Sequence, residues 1–330
     1  MKHSFLHIGL AKLCGWFGIT RQAYYSYTWR ALEEGNKEHI IIEKVNIIRE
    51  NHPRIGTRKL FDMLQPFFRE HKIKIGRDSL FNLLYTNHLL IRKRKRNIST
   101  TNSYHRFRKY PNLIKNLTPT AINQIWVSDI TYWKIGEHHV YISFITDVYS
   151  HKIVGYYVAE TLETIESIRA LKMALNSLEF KPKQLIHHSD RGIQYCSNSY
   201  VKLLQDYNLN ISMTESGDPL ENAVAERVNG IIKEEYLREY QVKNIKEAKK
   251  VLGFVVRLYN EERPHNSISN HVPNEVHENS DLKTKRLWKN YYKKQESNDN
   301  YDFSNSNCSV PLRSTSQLEF ENKNVNLLKD

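Results

Sequence analysis

Three β-rich runs at 125–134, 139–147 and 152–159 follow one another with only four residues between each pair. That spacing constrains the fold more than any other feature of the chain. A parallel return needs a crossover of a dozen or more residues, so these runs can pair only as an antiparallel meander, with its first turn around Gly136. The pattern then changes to a helical repeat over 163–178, a strand at 185–188, a helix over 198–207, a short strand at 210–213 and a further helix through 226. Strands first and helices afterwards predict an α/β core, a mixed five-stranded sheet covered by helices.

Three acids stand out against this framework. Asp129 lies in Ile125-Trp126-Val127-Ser128-Asp129-Ile130-Thr131-Tyr132-Trp133, a β-branched and aromatic run, where alternation puts it on one face with Ile125, Val127 and Trp133. A carboxylate on an apolar face is costly unless a cation or a hydrogen-bond donor meets it. Asp190 follows the apolar strand ending at His187-His188 and precedes Arg191-Gly192, a turn. Glu226 falls in a helix for which Asp218 is a cap, Pro219 a first residue and Glu221 the second half of a capping box. In that helix Ala225, Val228, Ile232 and Tyr236 form the apolar stripe, while Asn222, Glu226, Asn229 and Lys233 share another face. Taken singly, each acid also fits a plain role as a strand-end, turn or solvated helix residue. Converging, they would suit hard divalent cations, which prefer oxygen ligands and keep waters that phosphate can replace.

WVSDITYW (126–133), HHSDRGIQY (187–195), ENAVAERVNGIIKEEY (221–236) and YNEERPHNSI (259–268) together resemble the catalytic core of DDE transposases of the IS-three type, relatives of retroviral integrases. The resemblance covers roughly 121–278 and extends more weakly to HPRIGTRKL (52–60). It implies a ribonuclease-H-like fold, with Asp129, Asp190 and Glu226 as catalytic, metal-binding triad. It also implies two Mg²⁺ ions, with Mn²⁺ as a substitute, and DNA cleavage followed by 3′-hydroxyl strand transfer at the ends of an insertion sequence. The chain would be the second reading frame of its element, a homo-oligomer on DNA, joined by or fused to an upstream-frame protein. Two other readings use the same residues: a nuclease or retroelement integrase, and a DNA-binding regulator that has lost turnover.

Charge is distributed unevenly. Residues 1–120 carry 23 basic and 8 acidic side chains, a net of +15, whereas the remainder carries 26 and 28, a net of −2. A basic first third beside an acid-bearing core suits a phosphodiester substrate. Residues 1–96 read as a helical DNA-binding region with two helix-turn-helix-like units. The first is Ala11–Phe17, a turn capped by Thr20, and Arg21–Tyr27; the second has helices near 38–50, 57–65 and 78–87. Arg92-Lys93-Arg94-Lys95-Arg96 opens a basic and polar linker over 97–120, either a solvated connector or an arm on backbone phosphate. Asn222, Asn229, Lys233, Arg263 and His265 are further candidate DNA contacts; for Arg263 and His265 the alternatives are bracing the carboxylates or helix-end packing.

Cys14, Cys196 and Cys308 show no paired metal-ligand spacing, which separates the chain from integrases that carry a zinc domain and suits reduced thiols in a cytoplasm. No run is long and apolar enough for a membrane span. His187 and His188 read as core residues and Asp147 as a structural acid. Residues 279–330 hold a basic helix candidate at 283–294 and a low-complexity stretch at 298–307.

Overall fold

A computed structural model of the chain describes residues 8–92, 106–115, 117–181, 184–215, 219–279, 282 and 310–311. Cα packing divides the chain into two compact units, Met1–Arg94 and Lys95–Asp330.

The first unit is all helical: α1 (Leu10–Trp16), α2 (Arg21–Asn51), α3 (Thr57–Met63), α4 (Gln65–Glu70) and α5 (Arg77–Thr86). Thr20 caps α2 as the sequence suggests, its Oγ1 accepting from Ala23 N at 3.0 Å. The second helix does not stop at Tyr27, however. Gly35-Asn36 looks like a break, yet α2 runs unbroken through it to Asn51. The good helix formers Ala31, Leu32, Glu33, Glu34 and Lys37 surround that pair, and Glu33 and Lys37 meet at 2.7 Å. Helix α4 was not legible, because Pro66 suggests an ending; in the first turn of a helix, proline costs no hydrogen bond. Ile41 and Val45 of α2 pack with Leu60, Phe68, Leu80 and Leu84 into one core.

In the second unit the meander forms as expected: β1 (Ile125–Ile135), β2 (His138–Asp147) and β3 (Ile153–Ala159) pair antiparallel. Gly136 supplies the positive φ, +53°, of the first turn. Then come α6 (Thr164–Asn176), β4 (Phe180–Lys181), β5 (Ile186–Ser189), α7 (Ile193–Cys196), α8 (Asn198–Asp206), β6 (Asn210–Met213), α9 (Ala223–Ile231), α10 (Ile245–Glu261) and α11 (Pro273–Glu278), with β7 (Val310–Pro311) pairing β4. The sheet order is β3-β2-β1-β5-β6, with β5 parallel to both β1 and β6. That mixed five-stranded order is the ribonuclease-H-like arrangement. Two cores sandwich the sheet: Trp126, Ile145, Leu171, Leu175, Tyr200 and Leu204 with α6 and α8, and Trp133, Ile142, Phe144, Ile232, Leu252 and Tyr259 with α9 and α10.

Among the described residues no helix is long and apolar enough to cross a membrane. Cys14 and Cys196 are buried free thiols. Cys308, the basic run Lys93–Arg96 and the helix candidate at 283–294 lie outside the described residues, as does the low-complexity stretch at 298–307.

Candidate active site

The register of the two central strands brings the aspartates together. Ser128 of β1 pairs with Ser189 of β5 in the parallel ladder, so Asp129 and Asp190, each one residue further on, emerge side by side, about one strand spacing of 4.8 Å apart. The place where β5 runs out is also where the chain turns under Gly192. Asp190 Oδ1 accepts from Gly192 N at 3.0 Å, and a Cβ on Gly192 would come within 2.9 Å of that oxygen. The turn that aims Asp190 therefore needs a glycine.

Asp129 is held more firmly. Oδ1 accepts from Ile130 N at 2.9 Å and Oδ2 from Asn229 Nδ2 at 2.7 Å. Asn229 lies one turn beyond Glu226 in α9, so one helix presents the third acid and also orients the first. Asn222, the N-cap of α9, donates to Ser128 O at 3.1 Å and docks the start of that helix on β1. Both asparagines are buried, and the Oδ1 of each has no hydrogen-bond partner. Glu226 itself is exposed in the first turn of α9.

The helix begins differently from the expected capping box. A 3-10 turn, Pro219–Asn222, precedes it, and Glu221 accepts from Glu215 N at 2.7 Å, tying back the preceding loop. Asp218 lies outside the described residues. The expected stripe of Ala225, Val228, Ile232 and Tyr236 is buried throughout. At its end the helix widens into a π-helical turn, Ile232–Tyr236, a feature common at functional sites.

Electrostatics tie the three acids together. Removal from water, then the charge of Asp190, then that of Glu226, push the Asp129 carboxyl up to about 7, against the lowering effect of its two donors. A proton thus fills the role that a cation would otherwise play. The donor set is oxygen throughout, which suits a hard divalent ion. The three carboxylates do not by themselves form a closed cage: among the described residues no group of three His, Cys, Asp or Glu side chains is poised to hold a metal.

The remaining candidates divide by burial. Lys233 is half-buried in the π-helical turn, its Nζ 3.5 Å from the centre of the Tyr132 ring. Arg92 is exposed. Arg263 and His265 correct the expectation of DNA contact, because both are buried. Arg263 makes a two-pronged ion pair with Glu235, Nε to Oε2 at 2.8 Å and Nη2 to Oε1 at 2.7 Å, and Nη1 meets His265 Nε2 at 2.9 Å. A guanidinium spent inside the protein cannot also hold phosphate. Glu235 was missed in the sequence, since its partner lies 28 residues away.

His187 and His188 are core residues. His187 Nε2 sits 2.7 Å from Ser128 Oγ and 3.0 Å from Tyr200 OH, and burial pushes its pKa down to about 3, so it stays neutral. His188 Nδ1 is 2.8 Å from Ser212 Oγ. Asp147 is wholly buried, accepting from Ser150 N and Oγ and from Asn123 N, a structural acid as expected.

Comparison with known proteins matches the integrase core domain family twice, over residues 119–219 and 207–273. An uncharacterized 31 kDa protein of insertion element IS600 from Shigella sonnei is 35% identical over 266 residues, spanning 79% of this chain and 96% of that protein. The transposase for insertion sequence element IS629 from the same organism is 29% identical over 262 residues, 77% of this chain and 86% of that one. Among solved structures, the HTLV-2 integrase catalytic core domain in complex with magnesium is 20% identical with a TM-score of 0.39, covering 48% of this chain and 97% of that one.

Proposed function

The chain belongs to the insertion-sequence transposases with an integrase-type core, and from that premise we propose that Asp129, Asp190 and Glu226 are the catalytic and metal-binding triad of its DNA strand transfer. The enzyme is a DDE polynucleotidyl transferase of DNA transposition. The observation that carries the assignment of residues is the Ser128–Ser189 pairing, which sets the two aspartates side by side with Glu226 within electrostatic reach.

Divalent ions, Mg²⁺ or Mn²⁺ and two in number, would supply activation of the attacking oxygen and offset charge on the leaving one. The protein's part is positional. Asn229 and Ile130 N leave each oxygen of Asp129 with a lone pair to offer, and the Gly192 amide fixes Asp190. Glu226 stands exposed, free to swing in when the site fills. In the first step water attacks the phosphodiester at the element end, and the P–O3′ bond breaks to free a 3′-hydroxyl. In the second, that hydroxyl attacks a target phosphodiester, forming one P–O bond as another breaks.

Lys233 and the run Arg92–Arg96 are the proposed DNA contacts, whereas Asn222 and Asn229 act from within by holding α9 and Asp129. More than one copy engages the two ends. An upstream-frame protein, separate or fused, completes end recognition, and the assembly works on cytoplasmic DNA.

The test uses the purified chain with labelled duplexes carrying its own element's ends. Mg²⁺-dependent nicking followed by joining to a second duplex is expected. Nicking without joining would make it a nuclease; binding without either would make it a regulator.

A second prediction concerns acidity. The folded pKa of Asp129, about 7, lies above that of an unfolded carboxylate, so the fold keeps a proton that the unfolded chain has lost across roughly pH 4–7. This contribution to stability is therefore present at low pH and disappears as pH rises through 7. Without metal, the melting temperature should fall between pH 5 and 8, and Asp129→Asn should flatten part of that fall. Added Mg²⁺ should raise it at pH 8 far more than at pH 5. An equal shift at both values, or an undiminished one in Asp129→Asn, would remove Asp129 from the metal site.

A further inference from the structure

Helix α2 carries a second apolar stripe that its own unit does not use. Ile41 and Val45, with Ile48 beside them, face the core of the unit. At about 100° per residue, Tyr25, Trp29, Leu32, Ile40 and Ile47 fall in a single sector roughly 150° away. All five are exposed, from 40% for Ile40 to 69% for Trp29. The stripe runs for about 33 Å at 1.5 Å per residue, with exposed Asn36 at its middle. A helix apolar on two faces is one that expects two partners, and the unit's own core supplies only the first.

We propose that this stripe docks a second copy of the same chain, α2 against α2, antiparallel about a two-fold axis through Asn36. The proposal deepens the reading that more than one copy engages the DNA ends. It rests on a self-complementary pattern, which an isologous contact requires. About that axis Tyr25 faces Ile47 of the partner subunit and Leu32 faces Ile40 of the partner subunit. Asn36 meets Asn36 of the partner subunit, where paired amides fix the register as a buried asparagine does in coiled coils.

Charge complementarity supports the same arrangement. Glu33 and Lys37 flank the stripe on one side, Arg21 and Glu50 on the other, and all four are exposed. The axis carries Glu33 toward Lys37 of the partner subunit, and Arg21 toward Glu50 of the partner subunit. Glu43, the one charge inside the sector, faces Trp29 of the partner subunit. In a parallel pair it would instead face Glu43 of the partner subunit, like charge against like. The sector holds no cation, so it does not suit DNA phosphate.

The test uses the full chain without DNA, which keeps it separate from any failure of strand transfer. Sedimentation over a micromolar range should show dimerisation, weakened at least 100-fold in Leu32→Glu/Ile40→Glu while helical content and melting temperature are retained. Under mild oxidation Asn36→Cys should yield a cross-linked dimer, and Tyr27→Cys, exposed but off the stripe, should resemble wild type. A wild type that stays monomeric, or equal cross-linking at 27 and 36, would overturn the proposal. So would a double variant that dimerises normally yet no longer binds element-end DNA, since the stripe would then be a DNA surface.

Discussion

Glu235→Ala should destabilise the catalytic unit by about 3–5 kcal/mol, the cost of leaving a buried charge without its partner. Arg263 is 1% exposed and both prongs of its guanidinium are spent on Glu235. Glu235 is the less buried member, its side chain 21% exposed, so when Arg263 is removed the carboxylate can recover some water. Arg263→Ala should therefore cost less than Glu235→Ala, even though it deletes more atoms. Replacing the pair together, Glu235→Leu with Arg263→Met, should cost much less than the two single changes summed. Chemical unfolding followed by near-ultraviolet circular dichroism gives all three values. If the two single changes and the pair simply add, the ion pair is not what holds the π-helical turn. The consequence for catalysis follows from position: that turn continues the helix bearing Glu226 and Asn229, so a loosened turn loosens two parts of the site at once.

Much of this organisation was legible in the chain. The meander could be read from spacing alone, because four-residue connections exclude a parallel return. The apolar stripe of the Glu226 helix followed from period, and its four residues are buried as expected. What could not be read was what depends on distant docking. Asn229 was placed on the same face as Glu226, but its bond to Asp129 exists only because α9 lies across β1, 100 residues apart in sequence. Arg263 looked like a phosphate ligand because arginine usually is one in such company; only its partner at Glu235 shows otherwise. The length of α2 was hidden by Gly35-Asn36, a weak local stop overridden by strong helix formers on both sides.

The second large effect is on the reaction. Asp129→Asn, Asp190→Asn and Glu226→Gln keep shape and size while removing one charge each, and in Asp129 and Asp190 that charge is one the apo fold strains to carry. Neither folding nor DNA binding should suffer; Asp129→Asn should, if anything, be more stable at pH 8, where the native carboxylate is costly. Catalysis should fall at least about a thousandfold in each, since bound ions contribute several kcal/mol to such a displacement and every ligand charge is needed to hold them. The most direct measurement is the joining of element-end duplexes in Mg²⁺ by these three variants beside wild type, with DNA binding and melting temperature taken on the same samples. The account predicts intact binding and folding with joining lost in all three; near-wild-type joining by any one of them would contradict it.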